Sequence, residues 1–517
     1  MPRSLAAALC VAAAVAAEVP PEPPRVRALR GDASMPGSAA WLQATAPWTA
    51  WMRGRDLFRR EYRRRDGAGE PADRVLLGDG RTPELRMGQA TSCMLCHNVP
   101  FGDPGAGATI LKDGPSGRST PHLFGAGLLE ALAASVSAHL LATVDRDGDG
   151  TVGPAEAAGA RARAPTGDGR EIDYGTFADV DGDGRPDLDE AVAWWPVDPA
   201  GRRLPGTRID AANAVGYRFA VRAYGWGGDP PAAARASASL RAFTVGAFAV
   251  HAGLQAADGD ESADSGRARD AAGLSCDDPD GDGVAAELSA GDIDLIVHYV
   301  RNQPPPAERT TMPGFAAGRA HFTAIGCADC HQPDWQPPVA VADPRFATFS
   351  VRDGDHGLRG ALSVPGPTLG PIRGLYSDLR SHDLGPAFHQ LRFDGSVATR
   401  FRTPPLWGVA TSAPYGHDGA SLDLDAVIRR HGGDAMTAAA GYVAMSNAQR
   451  GELLGFLSGL VLFPVDGVPL DADGDGAIAT GERLAAPWLP LLPDLGRDLP
   501  WQRDADGDGF PDLPYAH

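Results

Sequence analysis

Cysteine is scarce here: six in 517 residues, at positions 10, 93, 96, 276, 327 and 330. Cys10 lies in an N-terminal leader and four others form two close pairs. Cys276 is left alone, so no intramolecular disulfide is expected in the mature protein. Positive charge is also short. Lys and Arg number 47 against 66 Asp and Glu, for a net charge of −19, which argues against nucleic acid as a partner. No run of 18 or more apolar residues lies in the body of the chain, so no transmembrane segment is expected in the mature protein. The hydrophobic share of 43% still suffices for ordinary globular cores, and the length suits two to four domains.

The N-terminus differs from the rest. Arg3 precedes an apolar run from Leu5 to Ala16 that ends in small residues. This is a signal-peptide pattern over residues 1–17, with cleavage expected after Ala17 and a periplasmic or extracellular destination. Lipidation at Cys10 is disfavoured because Leu9 is bulky where a small residue is wanted. Residues 18–47, rich in Pro, Ala and Arg, read as an exposed arm.

Two copies of one short pattern organise the remainder of the chain. They are Cys93-Met94-Leu95-Cys96-His97 and Cys327-Ala328-Asp329-Cys330-His331. Cys-x-x-Cys-His is the attachment signal of a c-type haem. Two sulfurs three positions apart can bond the vinyl groups on one porphyrin edge, and the next histidine then supplies a proximal nitrogen to the iron. Zinc or thiol redox chemistry is the competing reading. The pairs begin at 93 and 327, far beyond the roughly 15–20 residues between the pairs of a zinc ribbon. Zinc also gives no reason for a histidine after each pair. Export agrees with c-type haem.

The surroundings of the motifs repeat as well. Residues 51–64 carry apolar positions that predict an amphipathic helix leading to the first motif. Gly54-Arg55-x-x-Phe58 is echoed by Gly318-Arg319-x-x-Phe322 ahead of the second. Downstream, Thr120-Pro121-His122-Leu123-Phe124-Gly125 is echoed by Thr403-Pro404-Pro405-Leu406-Trp407-Gly408. Leucines at 128, 129, 132, 140 and 141 predict a helix over 127–143. Paired motifs with paired flanks imply two homologous domains, over residues 48–300 and 301–466, with a tail over 467–517.

Acidic charge gathers in five loops with an Asp-x-Asp-x-Asp-Gly core. Calcium takes six to eight oxygens, so alternating carboxylates around a glycine turn suit it. Three loops match the EF-hand template in full, with a backbone carbonyl at position 7 and Glu at 12. They are Asp145, Asp147, Asp149, Thr151 and Glu156; Asp179, Asp181, Asp183, Arg185 and Glu190; and Asp471, Asp473, Asp475, Ala477 and Glu482. Two depart from it. Asp278, Asp280 and Asp282 have Glu287 in place of a carboxylate at position 12, and Asp504, Asp506 and Asp508 have Asp512 at position 9. A solvated acidic turn without an ion is the alternative for each. The first two start at 145 and 179, close to the spacing of paired EF-hands. Calcium bound only to the native state would stabilise it.

In this order, the segments at 92–97, 118–130, 224–227, 326–331, 376–379, 382–385, 402–408, 417–419 and 431–434 resemble the di-haem oxidoreductases related to bacterial di-haem cytochrome c peroxidases and MauG-type enzymes, in their thiol oxidoreductase-like branch. The resemblance implies a mainly α fold with two cytochrome c-like haem domains, here with inserted EF-hand-like calcium loops and a C-terminal calcium-loop tail. It implies one haem that passes electrons and one that can take peroxide, with a small redox protein as donor or acceptor. Trp226 is then a candidate relay, and His122 and His382 are candidate groups beside a haem. The peroxidases carry an axial methionine near the place of Arg400, and none is present. Distal candidates are therefore His122, His251, His382 and His417. Two alternatives stand beside a peroxidase-like enzyme: a non-catalytic electron-transfer cytochrome, and a calcium-stabilised surface or interaction protein.

Overall fold

The computed structural model describes residues 28, 30–63, 66, 91–97, 110–111, 118–198, 216–224, 239–248, 252, 254, 256, 287–303, 305–340, 370–391, 396–462, 468–469 and 483–484. Helices dominate, and every sheet among the described residues is two-stranded. Trp226, His251 and Cys276 lie outside the described residues, as do the signal segment, the tail loops at 471 and 504, and the aspartates of the loop at 278.

Two helix pairs share one design. The Pro47–Arg59 helix crosses Ala290–Arg301, and the Phe315–Ala324 helix crosses Asn447–Ser458. A glycine permits each crossing. A Cβ on Gly54 would stand 2.0 Å from the Leu295 carbonyl oxygen, and one on Gly318 would stand 2.0 Å from that of Glu452. Four residues on, Phe58 packs 5.3 Å from the ring of Tyr299 and Phe322 packs 5.4 Å from Phe456. The Gly-Arg-x-x-Phe echo thus records one helix crossing used twice. The first helix starts earlier than 51 and ends at Arg59, because Pro47 fits the first turn and Arg60 turns extended. Tyr62 is buried beyond its end.

The expectation of an exposed arm over 18–47 needs correction. Ser38 caps a helix over Ala39–Thr45, and Ala28, Ala39 and Leu42 are buried with Ala50 and Leu295. Composition hid this, because the apolar positions are few but share one face.

The Ala126–Val144 helix runs through the larger core, burying Leu129, Leu132, Val136, Leu140 and Val144. It is long and apolar enough to cross a membrane, although polar residues interrupt its apolar positions, and half of it is buried inside the protein. Its Glu130 is paired with buried Arg301 at 2.9 Å. Two antiparallel hairpins come next, Arg161–Pro165 with Glu171–Thr176, and Val192–Val197 with Gly216–Val221. The loops at 145 and 179 flank the first of them. A second core gathers Phe315, Phe322, Tyr376, Tyr442 and Phe456.

Candidate metal centres and the cavity they share

Each Cys-x-x-Cys-His begins as a single 3-10 turn, Cys93–Leu95 and Cys327–Asp329. Ser92 caps the first through its hydroxyl, and Gly326 at φ 91° turns the chain into the second. The turn closes on the histidine, whose N–H donates to the carbonyl of the first cysteine (His97 to Cys93, 2.9 Å; His331 to Cys327, 3.0 Å). Both sulfurs and the imidazole therefore sit on one short arc. All four cysteines are unbridged. Burial pushes the Cys93 and Cys327 thiols up to about 12, which suits neither a nucleophilic thiol nor a zinc thiolate. No group of close metal-binding side chains among the described residues joins the two pairs.

The two imidazoles are held alike. His97 Nδ1 donates to the Pro121 carbonyl at 2.9 Å, and His331 Nδ1 to that of Tyr376 at 3.0 Å. A carbonyl only accepts, so Nδ1 carries the proton and Nε2 of the neutral ring keeps its lone pair. That is the tautomer a metal ligand requires. Burial, with the His431 ring next in weight, lowers His331 to about 4, so the ring is neutral. Phe58 and Phe322 lie 6.1 Å and 6.2 Å from the two rings.

The loop that supplies Tyr376 is under strain. Tyr376 and Leu379 take φ of 55° and 56°, unusual for side chains with a Cβ. Main-chain bonds hold it against the motif: Ser377 N–H to Gln332 at 2.9 Å and Asp378 N–H to Cys330 at 2.9 Å. Trp335 Nε1 donates to the Ser377 carbonyl, and Tyr376 Oη to Glu308.

Both motifs open into one cavity of about 1400 Å³, larger than the usual roughly 300–1,000 Å³ of a single-ligand pocket. His122, His382, His417 and His431 also line it. His382 is engaged at both nitrogens. Nε2 lies 2.8 Å from Asp378 and Nδ1 3.6 Å from Asp434, with Cys330 Sγ at 3.9 Å. Burial opposes its charge, yet the Asp378 and Cys330 contacts raise it to about 10. Both of its ring nitrogens face these groups, and the contacts favour the charged form of the ring. His122 is placed differently too. Its Nε2 donates to the Trp407 carbonyl at 2.9 Å, and its Nδ1 is buried without a hydrogen-bond partner. It follows Pro121, whose carbonyl accepts from His97 Nδ1. Burial lowers it to about 4. His417 stacks on Phe401 at 3.9 Å.

His431 was not among the sequence candidates. It caps the Leu424–Arg430 helix, and its Nδ1 donates to the Val427 carbonyl at 2.7 Å. Its Nε2 keeps a lone pair, and the ring lines the cavity close enough to His331 to shift its protonation. Two signals lay in the sequence: its place in the 431–434 segment, and a histidine directly after a short helix, where the carbonyl four residues back can take Nδ1.

The acidic loops are closed circuits of hydrogen bonds. Asp145 accepts from Gly148 and Gly150 N–H, and Asp179 from Gly182 and Gly184 N–H, all at 2.7–2.8 Å. Asp145, Asp147 and Asp149 form one close carboxylate group, and Asp179, Asp181 and Asp183 another. Glu156 folds back on the first loop and accepts from Arg146 N–H at 2.7 Å. In the second loop Asp187, at position 9, takes that place, accepting from Val180 N–H at 2.5 Å. Glu190 and Arg185 instead line the cavity. The template's weight on position 12 concealed this. The tail repeats the same string, Asp-x-Asp-Gly-Asp-Gly-x-Pro-Asp-Leu, from Asp504 to Leu513. Glu287 is buried.

Residues 224–460 match the family described as "Di-haem oxidoreductase, putative peroxidase". No curated relative matches the chain. Among solved structures, Kuenenia stuttgartiensis hydrazine synthase, pressurized with xenon, is similar at 16% identity over 34% of this chain and 56% of that one, with a TM-score of 0.23. A MauG-like protein associated with microbial copper homeostasis is similar at 18% identity over 33% and 56%, with a TM-score of 0.19. The chain spans about half the length of these solved structures. The matched segment holds the second motif, the strained loop that grips it and His431. Over residues 224–460, a little under half of its length, this chain is thus similar to the di-haem oxidoreductases.

Proposed function

We propose that the chain is an extracytoplasmic di-haem c-type oxidoreductase of peroxidase-like activity, built on two cytochrome c-like domains. Cys93 and Cys96, and Cys327 and Cys330, would hold the haems by thioether bonds, and His97 and His331 would ligate the irons. The observation that carries this is the pair of matched cradles, each fixing the Nδ1–H tautomer, opening into one cavity. Haem bound there supplies one-electron chemistry and, at an open iron position, peroxide reduction. The chain's own part is orientation and exclusion. The Pro121 and Tyr376 carbonyls fix the two imidazoles, and the cavity's apolar walls would surround the porphyrins. His431, which lines the cavity near His331, would supply a second imidazole to the His331 centre, and the His97 centre would be left for substrate. A small redox protein would exchange electrons with the molecule. The loops at 145 and 179 would bind calcium, and so would those at 278, 471 and 504 by sequence.

Electron paramagnetic resonance of the holoprotein tests the assignment. One low-spin and one high-spin iron are expected, with the high-spin signal changing on peroxide. His431→Ala should turn the low-spin iron high-spin. Two low-spin irons inert to peroxide, in the oxidised and half-reduced protein, would leave an electron-transfer cytochrome instead.

A further inference from the structure

The two echoed segments, 120–125 and 403–408, meet each other. A Cβ on Gly125, at φ 74°, would stand 2.7 Å from the Trp407 ring. One on Gly408, at φ 76°, would stand 3.2 Å from His122 Nε2. At this join His122 donates to the Trp407 carbonyl. The bond is part-buried and belongs to neither proximal histidine, yet it closes a continuous chain between them. From His97 Nδ1 the chain passes to the Pro121 carbonyl (2.9 Å) and along the peptide into His122. It crosses from His122 Nε2 to the Trp407 carbonyl (2.9 Å) and runs back to Leu406, whose N–H donates to the Leu375 carbonyl (3.1 Å). The next carbonyl, that of Tyr376, accepts from His331 Nδ1 (3.0 Å). Four hydrogen bonds and short covalent stretches thus connect one metal-binding imidazole to the other. Every link in it except the His122 ring is main chain.

We propose that His122 is a positioning residue for electron transfer between the two centres, completing this relay through its Nε2–H. The inference rests on the reading that His97 and His331 each hold a haem iron. One electron leaves the ferrous iron at one centre, which becomes ferric, and reduces the ferric iron at the other; no proton or atom is transferred. The relay runs through the carbonyl of residue 407, so the indole of Trp407 is dispensable to it.

The test is the rate at which an electron re-equilibrates between the haems after a reducing pulse, on the full mature holoprotein. Intact mass is taken first: fewer than two covalent haems in the native protein removes the reading of function and the relay with it. With two haems, only the relay is at stake. Midpoint potentials of both haems are titrated in each variant, so that rates are compared at known driving force. His122→Asn, too short to reach residue 407, should slow transfer by about tenfold, the lower end of the cost of losing an outer-shell partner. His122→Gln, which keeps an N–H donor at longer reach, should restore most of the rate, and Trp407→Phe should leave it unchanged. Should His122→Asn not load two haems, His122→Leu, which fills the space of the ring without an N–H donor, takes its place. Native rates in His122→Asn or His122→Leu, or an equal slowing in Trp407→Phe, would overturn the relay.

Discussion

A carbonyl partner and a carboxylate partner make different histidines from the same side chain. His97, His331 and His431 each give Nδ1–H to a backbone oxygen, which leaves Nε2 as the nitrogen with the lone pair. His382 faces Asp378 and Asp434 and is charged. Its folded pKa, about 10, lies above the roughly 6.5 of the unfolded chain. The contribution to stability is therefore whole below about pH 6.5, shrinks as pH rises and is gone above about 10. The melting-temperature gap between the native protein and His382→Gln should be widest near pH 6 and close by about pH 10. A gap that opens with rising pH would place the proton elsewhere. Removing only the carboxylate, as in Asp378→Asn, should cost on the order of 3 kcal/mol, since it strands a buried cation. None of this was legible in sequence. His382 looked like His122 and His417 there, and what separates them is an aspartate four residues back and a second one from another turn.

At the scale of elements, the glycine of the repeated Gly-Arg-x-x-Phe is a packing device. Gly54→Ala and Gly318→Ala should each destabilise by about 1–3 kcal/mol, because the added methyl meets a carbonyl oxygen in the crossing helix. Gly451 sits inside the Asn447–Ser458 helix with nothing within 4 Å of its would-be Cβ. Gly451→Ala should therefore stabilise by about 0.5–1 kcal/mol, and chemical denaturation of the three variants reads both signs. The echo itself was visible as spacing. Its cause was not, because the crossing helices come from 290–301 and 447–458, far along the chain. The helix over 126–144 needed no partner to be foreseen, since its leucines show the period alone. The Asp187 contact failed the other way: a template tuned to position 12 pointed at Glu190.

At the scale of the molecule, the acidic loops and the second motif are coupled by the first hairpin. Thr166 accepts from Gln336 N–H, Arg170 donates to the Ala328 carbonyl, and Tyr174 donates to that of Asp378. Asp189, just past the loop at 179, accepts from Ser381 N–H and faces Arg380. Ions that tie down both ends of this hairpin would stiffen the cradle of His331. Chelation should thus lower the melting temperature, by an amount that grows with the calcium concentration it removes, and should broaden the low-spin signal of the His331 centre more than the high-spin signal of the His97 centre. An unchanged melt would end the structural role of calcium. The meeting of the two echoed segments has a consequence for how such chains drift over generations. A contact made by a main-chain oxygen is indifferent to the side chain that hangs beside it, so position 407 is free to exchange one flat apolar residue for another. Positions 122 and 408 are not free in that way. A side chain acquired at 408, where φ is 76°, would press first on Leu462 and then on the imidazole, so glycine should persist there for as long as those two neighbours do.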